Sequence, residues 1–375
     1  MLYRKFLRRA LFHLPAETAH EAALRALSVG LSTNFARQLA ARRYQRSPFG
    51  ELKRFGLSFS NPIGVAAGFD KNGVVAPGLA ALGFGFVEVG TVTDLPQPGN
   101  PLPRLFRLPL DRALIKRAGF NNDGAAALAA RLQRRRPAGV LGVNIGKSRA
   151  VAVEAAVEDY LSSFEKIYAV ADYVAVNVSS PNTPNLRQLQ RADELQKLLG
   201  ALQRRNRELA QARSREPLPL LLKIAPDLST EELESIVDVV FKTKISGIIA
   251  TNTTVSRDNL RTPREEIEKC GAGGLSGAPL RTRATEVISM LYRLTRGQLP
   301  IVGVGGIFTA ADAWEKICAG ASLVQVYTGL VYQGASIARE INDGLQQILS
   351  QENYQSFDQA IGSRAETKSA ARAAS

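Results

Sequence analysis

Eight times between Asn61 and residue 349, an apolar run ends in small or polar residues and gives way to a helical pattern. This order constrains the fold more than any other feature of the chain. The strands read from it are Ile63–Ala67, Phe86–Gly90, Val140–Ile145, Tyr173–Val178, Leu218–Ile224, Gly247–Ala250, Pro300–Val304 and Leu323–Tyr327. Helices are expected near 74–82, 121–136, 153–171, 187–210, 229–244, 280–296, 310–319 and 335–349. Runs that are apolar throughout suit a parallel sheet covered on both faces. Eight such units predict an α/β fold, a (β/α)₈ TIM barrel, for which about 250 residues are usual. A doubly wound sheet is the competing architecture. It is disfavoured because no Gly-rich dinucleotide turn opens the first unit.

The barrel is assigned to 55–350, with a separate segment at each end. Residues 1–54 carry eleven Lys or Arg against three acids, a net +8 of the chain's +14. Tyr3, Phe6, Leu7, Ala10 and Leu11 recur at helical spacing among Arg4, Lys5, Arg8 and Arg9. Leu2 fits the same pattern. Pro15 stops it, and a second amphipathic stretch follows through Ala19, Ala22, Ala23, Leu24, Leu27 and Val29. A basic, amphipathic helical pair suits a membrane surface; the alternative is a pair packed on the main domain. Residues 34–55 read as a basic connector. Residues 351–375 are rich in Ala, Ser and charge, without apolar periodicity, and are expected to be a disordered tail.

Composition excludes several kinds of chemistry. The two cysteines, Cys270 and Cys318, make neither a disulfide framework nor a metal spacing. Both histidines, His13 and His20, lie near the N-terminus, so no His ligand cluster is expected in the barrel. A reducing compartment is the simplest fit. No run approaches a membrane span in length, and the polar residues breaking the first thirty positions argue against a signal peptide.

A barrel of this kind places its active site at the C-terminal strand ends. Those ends carry, in order, Lys71, Thr91, Asn144, the Asn177–Ser180–Asn182 group, Lys223, Thr251–Asn252–Thr253, Gly303–Val304–Gly305–Gly306 and Tyr327–Thr328–Gly329. They hold no His and almost no carboxylate, which is wrong for an acid–base carboxylate pair or a metal site. They suit a large planar ligand with many hydrogen-bonding positions and a phosphate, because Asn donates and accepts at one position. The glycines after strands seven and eight stand at the usual phosphate position of such barrels. The segment 177–187, N-V-S-S-P-N-T-P-N-L-R, is stiffened by Pro181 and Pro184. Taken alone, it is equally a turn built from turn-favouring residues. Gly273–Gly274–Leu275–Ser276–Gly277 reads as another Gly-rich loop, functional or simply a flexible lid. Lys71 and Lys223 are expected in the barrel mouth facing an anion, unless they snorkel to solvent. Ser180 needs help to act as a base, and on the residues alone it reads better as a backbone-capping serine.

These motifs together resemble class 2 dihydroorotate dehydrogenases, the membrane-associated, quinone-dependent, FMN-containing branch. The resemblance rests on A-A-G-F-D-K-N-G (66–73), G-T-V-T (90–93), Q-P-G-N-P-L-P-R-L-F-R-L (97–108), G-F-N-N-D-G (119–124), N-I-G-K (144–147) and the 177–187 segment. K-I-A-P-D (223–227), A-T-N-T-T (250–254), G-G-L-S-G (273–277), G-V-G-G-I (303–307) and Y-T-G (327–329) extend it. It implies that Ala67, Gly68, Phe69, Asp70, Lys71, Thr91, Asn144, Asn177, Lys223, Thr251, Gly277, Gly306, Tyr327 and Thr328 hold FMN. It implies that Lys71, Gly119, Phe120, Asn177, Asn182, Asn252 and Thr253 contact dihydroorotate. Ser180 would be the base removing the C5 proton while hydride leaves C6. Class 1 relatives use cysteine there, so Ser180 and the N-terminal helices both imply class 2. The helical pair would form the quinone path of a peripheral protein on the cytoplasmic face of the cell membrane, with no nucleic-acid partner.

One departure stands out. The family reads I-N-R-M-G-F-N-N where this chain reads I-K-R-A-G-F-N-N, so Lys116 replaces a substrate-binding Asn and Ala118 a larger residue. Weaker substrate binding or altered specificity is the expectation. The alternatives are a different FMN barrel reductase acting on another pyrimidine, including one in nucleic acid, and a flavin-binding paralogue with weakened turnover.

Overall fold

The computed structural model describes residues 3–365. Eight parallel strands close into a barrel. They are β1 (Ile63–Val65), β2 (Phe86–Val92), β3 (Val140–Ile145), β4 (Tyr173–Asn177), β5 (Leu220–Ile224), β6 (Gly247–Ala250), β7 (Ile301–Val304) and β8 (Leu323–Val326). β8 pairs with β1 through Val324 and Ile63, which closes the ring. Every residue of the eight strands is buried. The apolar runs are continuous because interior and helix-facing sides are both covered. All eight anticipated helices are present, from Ala76–Ala81 to Ile337–Gln351. Two are started by capping boxes, Ser229 with Glu232 and Thr309 with Asp312.

Large and small residues alternate inside the barrel. A Cβ on Gly64 would lie 2.4 Å from the Phe86 ring, and one on Gly142 would lie 2.1 Å from Tyr173. These two aromatics fill the lower barrel. The hairpin Leu52–Arg54 with Leu57–Phe59 plugs the bottom, where Phe59 meets Phe86 edge to face at 5.4 Å. Glu88 lies two residues beyond Phe86, so the strand period aims it into the same interior.

Several elements differ from the sequence expectations. The connector at 34–55 contains a third N-terminal helix. The three are α1 (Arg8–His13, entered through a π turn at Tyr3–Leu7), α2 (Ala16–Gly30) and α3 (Asn34–Tyr44). Thr33 caps α3 by accepting the Ala36 N–H, a signal the density of arginines obscured. The Gly-rich segment at 273–277 is a strand rather than a lid. Gly274–Gly277 pairs with Ala113–Lys116, which also pairs with Leu105–Leu108. This antiparallel sheet comes from excursions after β2 and β6, outside the βα alternation that guided the reading.

The expected disordered tail is structured as far as it is described. Phe357, Ala360 and Ala365 are buried, Phe357 against Phe49 with ring centroids 5.1 Å apart. Tyr354 meets Trp314 edge to face at 5.4 Å. The segment's few apolar residues serve as anchors, too sparse to give a periodicity. Residues 366–375 of the expected tail, and Leu2 of the first helical pattern, lie outside the described residues. Phe357→Ala should lower stability by about 3 kcal/mol in urea unfolding. An unchanged midpoint would contradict the anchoring of this segment.

Candidate active site

A buried carboxylate organises the upper barrel. Glu88 Oε1 accepts from Asn144 Nδ2 at 2.9 Å, and Oε2 accepts from Tyr173 Oη at 2.9 Å and Gln325 Nε2 at 2.8 Å. Lys223 Nζ stands 3.7 Å from Oε1. Five strands thus converge on one group. Burial, and then the charge of Glu88, push the Tyr173 phenol well above its ordinary range, so it remains a donor. Asn144 Oδ1 in turn accepts from Thr91 Oγ1 at 2.6 Å, and Asn177 Nδ2 donates to Thr91 Oγ1 at 3.0 Å. Asn177 Oδ1 receives Ser179 Oγ at 2.8 Å, which accepts from Asn252 Nδ2 at 3.0 Å. Arg187 ties the 177–187 loop to the next strand ends through Ser179 O, Asp227 and Thr253 O.

Two polar cavities open above this network. One, of about 690 Å³, is lined by Ala67, Lys223, Thr251, Asn252, Thr253, Gly277, Gly306, Tyr327 and Thr328 among others. The second, of about 550 Å³, is lined by Ala67, Gly68, Lys71, Thr91, Gly119, Phe120, Asn177, Ser180, Asn182, Lys223, Asn252 and Thr253. Most of the residues singled out from sequence therefore come together. Three do not face these cavities. Asp70 is buried and accepts the N–H groups of Val74 and Val75, at 2.8 and 2.7 Å. Asn144 is fully buried in the network below. Phe69 faces a third chamber.

The larger cavity fits a flavin nucleotide. Among the described residues, the N–H groups of Gly305 and Gly306 donate to no protein acceptor, as an anion cradle requires. A Cβ on Gly306 would lie 2.4 Å from Arg281 Cβ, so a side chain there is excluded. Gln325 lines this cavity, and its buried Oε1 has no partner.

Ser180 lies at the second cavity. Its Oγ accepts the Asn182 N–H at 3.2 Å, and its own proton has no protein acceptor among the described residues. Lys71 Nζ donates to Asn121 Oδ1 at 2.6 Å. Burial, with help from Lys116 and Arg104, holds its pKa well below the ordinary lysine range. Lys116 lines both cavities.

The third chamber, of about 1440 Å³, is almost wholly apolar and lies under α1 and α2. Ala16, Ala19, Ala22, Ala23 and Ala26 of α2 face it, and their small side chains leave the space open. Leu114 and Tyr327 line both this chamber and the larger polar cavity. His20 packs edge to face on Phe69 at 5.2 Å, and burial, then Lys116 and Lys71, push its pKa down to about 3. The imidazole is therefore neutral at working pH. Arg107 also lines this chamber and donates to Leu11 O at 2.9 Å. Glu17 of α2 pairs with Arg104 at 2.9 Å.

Glu88, Gln325, His20, Glu17 and Arg104 join the site without having been singled out by any sequence motif. For the first two a signal existed, since each is a lone polar residue within a buried apolar strand, F-V-E-V-G and L-V-Q-V. Nothing local marks the other three.

The fold and the paired cavities define a barrel enzyme with its polar site at the C-terminal strand ends and an apolar chamber beside it. The family model for dihydroorotate dehydrogenase matches residues 51–349. The dihydroorotate dehydrogenase (quinone) of Gloeobacter violaceus is 51% identical over 361 residues, covering 96% of this chain and 98% of that one. That of Chloroflexus aurantiacus is 52% identical over 349 residues, covering 91% and 95%. The solved dihydroorotate dehydrogenase of Eimeria tenella in complex with ferulenol superposes with a TM-score of 0.84 at 37% identity, covering 93% and 96%. The chain belongs to the dihydroorotate dehydrogenase family. It is an oxidoreductase of the quinone-dependent, flavin-dependent kind that serves pyrimidine biosynthesis.

Glu88→Gln should leave Lys223 beside a neutral amide in the interior. Stability in guanidinium unfolding should fall by about 3 kcal/mol. A loss under 1 kcal/mol would show that the carboxylate is not the anchor of the network.

Proposed function

We propose that the chain oxidises (S)-dihydroorotate to orotate with FMN as its flavin and passes the electrons to a membrane quinone. The observation that carries this reading is the adjacency of three spaces. A polar cavity with a glycine anion cradle shares Lys116, Lys223, Asn252 and Thr253 with a cavity holding Ser180, and shares Tyr327 with an apolar chamber.

FMN, when bound, supplies the hydride acceptor for C6 and the electron donor for quinone. Lys223, Thr251, Gly277 and Thr328 would hold it, with the free N–H groups at Gly305–Gly306 facing its phosphate. In the second cavity, Lys71 offers an ammonium to the pyrimidine carboxylate, and its partner Asn121 fixes its direction. Asn177, Asn182 and Asn252 are held by Thr91, Lys116 O and Ser179, so their amides are oriented before substrate arrives. That pre-orientation lowers the entropic cost of reaching a reactive geometry. Ser180 would take the C5 proton while its own hydroxyl proton passes to water in the cavity. The Asn182 N–H donates to its Oγ and favours the oxygen carrying more negative charge, which is the help a serine base needs.

The apolar chamber suits a quinone ring and the start of its tail. Among the described residues, no helix is long and apolar enough to cross a membrane. The N-terminal helices nonetheless expose large apolar side chains, with Phe6 at 66%, Val29 at 77% and Phe35 at 77% exposure. Lying beside the arginines of the same segment, they would rest on the cytoplasmic face of an anionic bilayer.

Dihydroorotate added anaerobically should bleach the bound flavin, and a soluble quinone analogue should restore its colour. Ser180→Ala should slow the bleaching by about 10²–10⁴-fold while leaving reoxidation by quinone unchanged. Bound flavin that dihydroorotate fails to reduce would overturn the assigned substrate.

A further inference from the structure

Lys116 ends the strand Ala113–Lys116, and its ammonium reaches the junction of the two polar cavities. It donates to Gly68 O at 3.0 Å and to Tyr327 Oη at 3.0 Å, and it lies 4.7 Å from the centroid of the Tyr327 ring. An ammonium has three donors. The third has no protein acceptor among the described residues. Lys116 and Lys223 are the two cations that line both cavities.

The surrounding charges are unbalanced. Lys223 stands near Glu88, and Arg104 pairs with Glu17. Lys71 and Lys116 are bonded only to neutral acceptors. Two ammonium groups at one site, without a carboxylate bonded to either, call for an anion. An Asn at position 116 would add no charge.

We propose that Lys116 is a ligand-contacting, specificity-determining residue, whose remaining N–H engages an anionic oxygen where pyrimidine and flavin meet. This rests on the function proposed above. Two consequences follow: tighter binding of the carboxylate-bearing pyrimidine, and a higher potential for the bound flavin, because a fixed positive charge favours its reduced, more negative form. The replacement of the family's Asn is then a gain of anion affinity, opposite in sign to the weakened binding expected from sequence.

The groups facing Nζ are Tyr327 from the end of β8, Lys71 from the loop after β1, Lys223 from β5, Arg104 from the segment before Leu105, and Glu17 and His20 from α2. Burial, opposed by Glu17 and reinforced by Lys223 and Arg104, brings the Lys116 pKa down to about 8. The ammonium, and with it the extra affinity, is present below that value and lost as pH rises through it. Lys116 is among the causes of the lowered Lys71 pKa, so neutralising it favours the charged form of Lys71, and the measured difference is a lower bound on the contribution of Lys116.

The test compares flavin-loaded wild type with Lys116→Asn, Lys116→Gln and Lys116→Arg. Orotate affinity is read from the perturbation of the oxidised flavin spectrum at pH 7 and 9.5, and the flavin midpoint potential by dye equilibration. At pH 7, the Asn and Gln variants should bind orotate about tenfold more weakly and show a more negative midpoint potential. At pH 9.5 the wild-type advantage should shrink, while the Arg variant keeps its affinity. Orotate affinity within twofold of wild type and an unchanged potential in both neutral variants would overturn the proposal. A wild-type protein that binds no flavin would overturn the function proposed above, and this inference with it.

Discussion

The upper half of the barrel depends on one buried charge. A carboxylate in a closed barrel interior is costly unless every lone pair has a partner. Glu88 meets that demand with donors from β3, β4 and β8 and an ion pair to Lys223 of β5, joining β2 to half of the ring. The donors that satisfy it are themselves fixed by doing so. Asn144 is held from below and therefore holds Thr91, which positions Asn177. The polar floor of the site is thus a rigid consequence of one residue two positions above the aromatic layer of Phe86 and Tyr173.

Above that floor, function is divided by what lines each space. Amides and lysines line the two cavities at the strand ends, whereas alanines and leucines line the chamber beneath the N-terminal helices. Tyr327 and Leu114 stand on the boundary. In the proposed reaction, the charged pyrimidine and the greasy quinone never share a pocket. The helix Ile337–Gln351 and the π turn ahead of α1 are tied through Arg4 and Glu340, and Tyr3 donates to Val331 O at 2.6 Å. These contacts dock the N-terminal segment on the barrel beside the chamber.

The barrel was legible because its strands are buried on both faces. Val140–Ile145 and Gly247–Ala250 lie where the apolar runs placed them, and the other six strand ends shift by at most two residues. The site was legible where a polar residue follows such a run, as at Asn177, Lys223 and Thr251. What lay beyond reach had no period to follow. The sheet joining Leu105–Leu108, Ala113–Lys116 and Gly274–Gly277 pairs segments more than 150 residues apart. It decides that Lys116 stands over the cavities. Asp70 was implied as a flavin contact by the resemblance of the 66–73 motif, and its carboxylate accepts two backbone N–H groups of the next turn. Adjacency in a motif does not fix the direction of a side chain.

Stopped-flow kinetics on Ala23→Phe separates the two half-reactions. The added ring would fill the chamber beneath α2, away from Ser180 and Lys71. Reduction of the flavin by dihydroorotate should proceed at the wild-type rate, and reoxidation by a quinone analogue should slow at least about tenfold. Equal slowing of both steps, or of neither, would contradict the assignment of separate spaces to the two substrates.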